Sequence, residues 1–356
     1  MKPRQGREAS GARAFEGANN LTLQDVQITA VGGHQINITQ SQKDDPMNIL
    51  RRYCEFQATH ESETAAYAPR CNPGTRVEVL QDIMSWTICR NRASPLASLA
   101  LLWFSGPAGG GKTCIQREVL ERCQQQGVLA ASYFFSTRIP NLDTSTPFVA
   151  TIAHQLCSSI EGMQALLEEV ITSDPAVFNK SLDLQFDRLI GQPMNSLNRK
   201  PKRWSLGKLL CLSDSSAENL SPVSKVIIID GLDECRDPQE QIRIIRLLSS
   251  AIIKYSLPLR IVIASRPEYE IRSTFDEIDL QVITHRIRLE DYGCDTDIED
   301  YIVDSLFEIR RKHPSAASIP SDWPSKEDIQ TVVQRRLGNS YMLQRSSTSS
   351  RTHAET

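Results

Sequence analysis

Long apolar runs are missing from this 356-residue sequence, since none approaches the roughly 18 residues that a membrane-spanning helix needs. The N-terminus has no apolar signal core, so we expect a cytoplasmic protein that is neither secreted nor bound to a membrane. The net charge is only −3 and the pI about 6.1, which gives no basic field for nucleic acid. The nine cysteines form no C-x-x-C pair and the six histidines are scattered, which disfavours a disulfide framework and a zinc site.

The N-terminal part of the chain is polar and contains one patterned stretch. Residues 1–20 are small and polar and predict a disordered tail, and residues 40–70 are interpreted as a linker. Between them, residues 21–39 alternate apolar and polar around Gly32 and Gly33, which predicts a β-hairpin. An isolated hairpin is marginal in water, so it is either an edge decoration or an element for assembly or targeting.

Strands alternate with helices over residues 71–312, which predicts a doubly wound, mostly parallel α/β domain with the hairpin as an N-terminal extension. Such sheets bind ligands at the carboxyl ends of their strands. Residues 198–222 break the pattern and are interpreted as a loop or an insertion, and residues 313–356 as a polar C-terminal tail. No repeat with a period of about 20 to 50 residues is present.

A glycine-rich segment matches the full phosphate-loop pattern G-x-x-x-x-G-K-[ST]. An apolar stretch over 99–104 predicts a buried strand before it and residues 114–123 predict a helix after it, which is the setting this motif requires. Glycines let backbone N–H groups turn towards phosphate oxygens, and the helix N-terminus adds partial positive charge. The residues predicted to bind nucleotide are Gly106, Pro107, Ala108, Gly109, Gly110, Gly111, Lys112, Thr113 and Cys114.

Two side chains of this segment have specific roles in phosphate chemistry. Lys112 is expected to reach the β- and γ-phosphates and to take part in catalysis, and the Thr113 hydroxyl to ligate Mg²⁺. The sequence therefore predicts that the chain binds a nucleoside triphosphate with Mg²⁺, on a sheet of the P-loop NTPase type.

The string Val-Ile-Ile-Ile-Asp-Gly-Leu-Asp-Glu, residues 226–234, predicts a buried parallel strand that ends in carboxylates. Asp230 at the tip of the strand is expected to hold Mg²⁺ together with Thr113. Asp233 and Glu234 lie just past the strand and are candidates for the base that orients and deprotonates the attacking water. The alternative interpretation is a buried strand with a capping Asp and a polar turn.

Residues next to other predicted strands are further candidates. Ser265 and Arg266 end a buried strand, where Ser265 would touch the attacking water or the γ-phosphate and Arg266 would sense γ-phosphate charge. The alternative there is the start of a helix with a surface arginine. Arg138, after the second predicted strand, is a similar candidate. Thr75 and Arg76 are candidates for contact with the base or sugar, or simply begin a helix after Pro-Gly.

Taken together, these segments resemble a NACHT-domain NTPase and are most similar to the mushroom-type fungal members, whose N-terminal part is also described as nephrocystin-type. The resemblance covers residues 71–312, with the motifs in family order. The segments that carry it are Cys71–Arg76, the phosphate loop, Ala130–Arg138, Ile152–Leu156, Ile229–Cys235 and Ile263–Glu268.

The resemblance implies a signal-transducing ATPase of the STAND class, a switch that is closed with ADP and assembles with ATP. It implies ATP or ADP with Mg²⁺ as ligands, and further copies or other signalling proteins as partners of the ATP-bound form. It also implies a link to self/non-self recognition and programmed cell death in fungi. The chain departs from the family at residues 198–222. It departs again after residue 340, where family members continue into an apolar helix, a winged-helix region and sensor repeats.

Four functional hypotheses stay open on the sequence. The first is a slowly hydrolysing ATP switch, which Asp233 and Glu234 favour. The second is a non-enzymatic interaction module in which nucleotide is a structural ligand and the hairpin mediates assembly. The third is a small-molecule kinase, for whose acceptor pocket the sequence carries no signature, and the fourth is a truncated product that barely folds.

Overall fold

A β-hairpin begins the part of the chain that the computed structural model describes. Strands β1 (Val26–Val31) and β2 (Gln35–Gln40) pair antiparallel, with Ile28 opposite Ile38, as the alternating pattern predicts. The tail predicted over residues 1–20 lies outside the described residues. These are residues 26–31, 35–40, 44–63, 70–72, 74–89, 91, 93–199, 224–293, 295–314, 319–320 and 322–333.

Five parallel strands form a central sheet with the order β4-β5-β6-β3-β7. Because both faces of its inner strands are covered, those strands are buried and mostly apolar. The strands are β3 (Leu101–Ser105), β4 (Leu129–Phe134), β5 (Lys225–Asp230), β6 (Leu259–Ser265) and β7 (Thr284–Arg288).

Helices connect these strands and cover both faces of the sheet. They are α1 (Pro46–Arg52), α2 (Val77–Thr87), α3 (Lys112–Gln125), α4 (Phe148–Ser159), α5 (Met163–Ser173), α6 (Leu182–Phe186), α7 (Gln192–Arg199), α8 (Pro238–Tyr255), α9 (Tyr269–Phe275), α10 (Ile278–Gln281) and α11 (Asp295–Lys312). A π-helical turn, Asp187–Gly191, joins α6 to α7. The predicted doubly wound, mostly parallel α/β fold is therefore confirmed.

Alternate residues of each central strand enter different cores. Trp103 of β3 packs in a core that α4, α8 and α9 cover. Its neighbours Leu102 and Phe104 pack in a second core, beneath α2 and α3. Helices on both sides hold the sheet rigid, so the loops at its carboxyl edge start from fixed points.

Part of the predicted linker over residues 40–70 is folded onto the domain, which corrects that prediction for residues 44–63. Leu50 of α1 is fully buried in the larger core. The ring of Tyr53 stacks on that of Phe178, with 4.3 Å between the ring centroids. The sequence signal is weak because few apolar residues of this stretch do the packing, and they follow no regular period.

The two other irregular segments are described only in part. Helix α7 runs to Arg199, and residues 200–223, most of the predicted loop or insertion, lie outside the described residues. Within the predicted C-terminal tail a helix spans residues 326–333. In the described part of the chain, no helix has the length and apolar character needed to cross a bilayer.

Candidate functional site

The predicted site residues lie at the carboxyl edge of the central sheet. The phosphate loop follows β3, the acidic turn 231–234 follows β5, and Arg266 follows β6. Strand β6 lies between β5 and β3, so its end separates the phosphate loop from the acidic turn. Parallel strands bring all these ends to one edge, which is where such sheets bind ligands.

The phosphate loop is shaped by its glycines. Gly109 and Gly111 have φ angles of +70° and +89°, which side chains rarely tolerate. A Cβ atom on Gly106 would lie 2.8 Å from the Cβ of Leu289, so this position has no room for a side chain. Gly111 precedes α3, and among the described residues no side chain caps the start of that helix. The loop and the helix N-terminus thus form a nest of backbone donors suited to an anion.

Lys112 lies against its own loop. Its Nζ donates to the carbonyl oxygens of Gly106 at 2.8 Å and Pro107 at 2.9 Å. Burial lowers the pKa of the Lys112 ammonium, and the carboxylates of Asp233 and Asp230 counteract this. The ammonium is therefore held at the nest by carbonyl groups, which are weaker partners than a phosphate.

The two predicted Mg²⁺ ligands contact each other. The Thr113 hydroxyl hydrogen-bonds the Asp230 carboxylate, which is only 4% exposed. Burial raises the pKa of Asp230 to about 6, although the Thr113 hydrogen bond and the Lys112 charge lower it.

A hydroxyl and a single carboxylate beside a phosphate nest fit Mg²⁺, which takes few protein ligands and keeps phosphate oxygens and water. The described residues contain no cluster of three or more His, Cys, Asp and Glu side chains that would suit another metal.

Glu234 is held by a residue that the sequence reasoning did not select. Its Oε2 accepts from the backbone N–H of Thr137 at 2.9 Å and from the Thr137 hydroxyl at 3.3 Å. Thr137 lies just after β4, and strand β4 pairs with β5. The only sequence signal was a polar residue at the end of a predicted strand.

Asp233 is held by Arg266. Its Oδ1 accepts from the Arg266 backbone N–H at 2.9 Å, and its Oδ2 lies 3.1 Å from the Arg266 Nε. The two candidate bases therefore differ, because Asp233 is paired with a cation and Glu234 with neutral donors.

Ser265 requires a correction. It is fully buried, and its Oγ accepts from the Trp103 indole Nε1 at 2.9 Å, within the core beneath α9. In this structure the hydroxyl therefore does not reach the site, because successive strand residues point to opposite sides. Ser265 contributes through its backbone, since its carbonyl oxygen accepts from the Gly106 N–H at 3.3 Å.

The remaining candidates lie around the loop. Arg76 Nη2 donates to the carbonyl oxygen of Gly110 at 3.2 Å, so this side chain supports the phosphate loop. The Thr75 hydroxyl instead closes a turn by donating to the Asn72 carbonyl at 2.8 Å. Cys114 is half-buried, and burial raises the pKa of its thiol. Pro107, Ala108 and Arg138 are exposed.

A separate groove of about 570 Å³ lies away from this edge, between α6 and α8. Most of its charged residues pair with each other, as in the Arg243 contacts with Asp183 and Glu240 and the Lys254 contact with Asp187. The residues predicted to bind nucleotide lie at the sheet edge and not in this groove.

Comparison with known proteins gives one family. The sequence profile of the family Nephrocystin 3, N-terminal, matches residues 74–266, more than half of the chain. The match includes the phosphate loop, the acidic turn and Arg266. No curated protein matches the sequence.

Among solved structures, Cdc6p from Pyrobaculum aerophilum is similar at 15% identity and a TM-score of 0.39. The similarity covers 69% of this chain and 52% of that one, so this chain spans about half the length of that relative. The match of the family profile over the site segments shows that the chain belongs to the nephrocystin 3 N-terminal family and is a NACHT-type P-loop NTPase.

Proposed function

We propose that this chain binds ATP with Mg²⁺ and hydrolyses it slowly, as a nucleotide-controlled switch. The observation that carries the proposal is the nest at residues 106–112, which lies at the same sheet edge as the Thr113–Asp230 pair and Glu234. Phosphoryl transfer needs mainly positioning and charge stabilisation, and this edge supplies both.

The phosphate loop provides the groups that would bind the nucleotide. A triphosphate tail would replace the loop carbonyl groups as the partner of Lys112 Nζ, and backbone N–H groups would hold its oxygens. Thr113 and Asp230 would hold Mg²⁺, which supplies neutralisation of phosphate charge when bound. ATP is preferred over GTP in this proposal because of the family resemblance, and the sequence carries no Asn-Lys-x-Asp string for reading guanine.

Hydrolysis is assigned to Glu234. Its carboxylate would accept a proton from water as the water oxygen attacks the γ-phosphorus, and ADP would leave with the bridging oxygen. In this structure one oxygen of that carboxylate, Oε2, is already engaged by Thr137, which leaves Oε1 to accept the proton. This partial engagement supports slow turnover.

The signalling role rests on the family resemblance. We propose that the ATP-bound form assembles with further copies of the chain or with other signalling proteins in the cytoplasm, without nucleic acid or membrane. A role in fungal self/non-self recognition or cell death belongs to the same proposal.

A non-enzymatic interaction module is the second candidate. It is favoured by one observation, namely that both carboxylates of the acidic turn are occupied by protein donors. Such a protein would retain nucleotide without cleaving it.

Single-turnover hydrolysis of ATP tests the proposal. We expect Glu234→Gln to slow cleavage by about 10²- to 10⁴-fold, since this is the usual contribution of a general base. Glu268→Gln, an exposed carboxylate two residues past Arg266, is the matched control and leaves the rate unchanged. Equal cleavage by wild type and Glu234→Gln would remove Glu234 from this role. Retained ADP without any cleavage by the wild type would establish the second candidate.

A further inference from the structure

We propose that Asp233 is a positioning residue that aims Arg266 at the terminal phosphate of ATP, so that Asp233 sets the preference for ATP over ADP. The inference rests on the proposed function and deepens it, because it assigns different roles to the adjacent carboxylates of Asp233 and Glu234.

The contact between Asp233 and Arg266 has two points. One carboxylate oxygen accepts from the backbone N–H of Arg266 at 2.9 Å, and the other faces its Nε at 3.1 Å. The backbone hydrogen bond holds the Arg266 main chain at Asp233, and the ion pair keeps the guanidinium beside the Asp233 carboxylate. The two terminal Nη groups take no part in these contacts, and they suit the bidentate recognition of phosphate oxygens.

The exposure of the two partners differs in the way that positioning requires. The Asp233 side chain is 6% exposed, whereas that of Arg266 is 46% exposed. A buried anchor with a half-exposed cation beyond it can direct that cation at a ligand. A base that must bind a water molecule needs the opposite arrangement, with its own oxygens open to the site.

The turn that carries Asp233 is itself restrained. Gln241 of α8 is buried, and its Nε2 donates to the carbonyl oxygens of Cys235 at 2.7 Å and Asp233 at 3.4 Å. Gly231 has a φ angle of +68°, and the Glu234 N–H donates to its carbonyl oxygen at 2.7 Å. Backbone restraints of this kind hold a supporting side chain precisely enough to orient another.

The charges around the phosphate nest are consistent with this assignment. Asp233 and Arg266 both act electrostatically on Lys112, so the pair lies within reach of the phosphate site. Both carboxylate oxygens of Asp233 are already engaged by Arg266, so neither is open to a water molecule. Glu234, which accepts only from neutral donors of Thr137, is left as the base.

The readout is the nucleotide ratio, defined as the Kd for Mg·ADP divided by the Kd for Mg·ATP. Only ATP has a γ-phosphate. If the Arg266 guanidinium is no longer directed at that phosphate, the affinity for ATP falls relative to that for ADP. Removing the Asp233 charge strengthens binding of Mg·ATP more than of Mg·ADP, because ATP carries the larger negative charge, so this effect opposes the expected fall in ATP preference and cannot produce it. A purely structural role of Asp233 would change both affinities together.

The experiment measures Kd for Mg·ATP and Mg·ADP by calorimetry, together with single-turnover cleavage. The proteins are wild type, Asp233→Asn, Arg266→Gln, the double variant and Glu234→Gln. We expect Asp233→Asn and Arg266→Gln each to lower the ATP preference by about five-fold or more, which corresponds to a coupling of about 1 kcal/mol or more. The double variant loses no more than either single variant, since both remove the same interaction. Asp233→Asn cleaves ATP faster than Glu234→Gln.

Two results would overturn the inference. One is cleavage by Asp233→Asn as slow as by Glu234→Gln with an unchanged nucleotide ratio, which would make Asp233 the base. The other is an unchanged nucleotide ratio in Arg266→Lys. This variant keeps the charge and the backbone hydrogen bond but loses the Nε contact. It also tests the inference if Asp233→Asn does not fold. A wild type that binds no nucleotide would instead refute the proposed function, so the two failures are distinguishable.

Discussion

The phosphate loop and the acidic turn face each other at one edge of the sheet, but they are prepared for a ligand in opposite ways. The loop presents backbone donors, and its lysine is bonded to carbonyl groups of the loop itself. In the acidic turn, Glu234 is bonded to Thr137 and Asp233 to Arg266, each a residue at the end of another strand.

This difference separates binding from cleavage. A phosphate chain entering the loop has only weak internal contacts to replace, and it gains charge-assisted ones. Cleavage requires in addition that Glu234, whose Oε2 is bonded to Thr137, accepts a proton from water. The proposed switch function needs ATP to be bound without being cleaved at once, and this separation of binding from cleavage agrees with that proposal.

Removing the lysine should have the largest effect on the loop side of this comparison. We expect Lys112→Ala to lower nucleotide affinity by about a hundredfold, because the charge-assisted bonds it loses contribute about 1.5–3 kcal/mol each. Mass spectrometry of nucleotide released from purified protein measures the loss. Lys225→Ala is the control, because Lys225 bonds Gly127 at the opposite edge of the sheet. Equal retention by both variants would contradict the assigned role of Lys112.

Crowding the loop tests whether its backbone shape matters independently of the lysine. We expect Gly106→Ala to reduce the free energy of unfolding by about 1–3 kcal/mol, as overpacking does, because the new Cβ would lie 2.8 Å from that of Leu289. Thermal or urea unfolding measures this. Gly293→Ala is the control, because a Cβ there meets no atom within 4 Å. Similar stabilities of the two variants would show that the loop or Leu289 shifts to accept the added Cβ at little cost.

A substitution of Asp230 tests the acidic half of the site. The raised pKa of Asp230 determines whether its charge raises or lowers the stability of the fold. The unfolded chain releases the Asp230 proton near its ordinary pKa of 3.8, while the folded protein keeps it up to about 6. Stability therefore falls as pH rises between these values, and the cost stays in full above pH 6.

In EDTA we expect Asp230→Asn to raise the free energy of unfolding at pH 7.5 by about 1–3 kcal/mol, and to change it little at pH 4. The same variant should lose the effect of Mg²⁺ on nucleotide binding. A variant that is less stable than wild type at pH 7.5 would show that the Asp230 charge is well compensated.

The smallest effect is expected at the contact that restrains Glu234. Thr137→Val removes the hydroxyl bond and keeps the backbone one, so we expect single-turnover cleavage to rise by about two- to five-fold, corresponding to up to about 1 kcal/mol. Thr144→Val, on the same loop, is the control, because its hydroxyl bonds only the local Asn141 carbonyl. A slower Thr137→Val would mean that the hydroxyl helps Glu234 instead of holding it back.

Local patterns were enough to predict the strands, most helices and the position of the glycine-rich loop between β3 and α3. Each of these depends on a short stretch of chain, such as the apolar run before Gly106 or the four β-branched residues before Asp230. The alternation of strands and helices along the sequence likewise predicted a parallel sheet.

Features set by contacts between distant segments could not be predicted. Glu234 and Thr137 are 97 positions apart, and their contact depends on β4 lying beside β5. Ser265 and Arg266 are adjacent in sequence, but the strand turns one towards Trp103 and the other towards Asp233. Which of them faces the site depends on a register of one residue, which no motif specifies.

Calorimetric titration of the wild-type protein with Mg·ATP and with Mg·ADP tests the central claim most directly. The account predicts saturable heat of association with both nucleotides, with ATP bound more tightly than ADP. Well-folded protein that gives no heat with either nucleotide would contradict it.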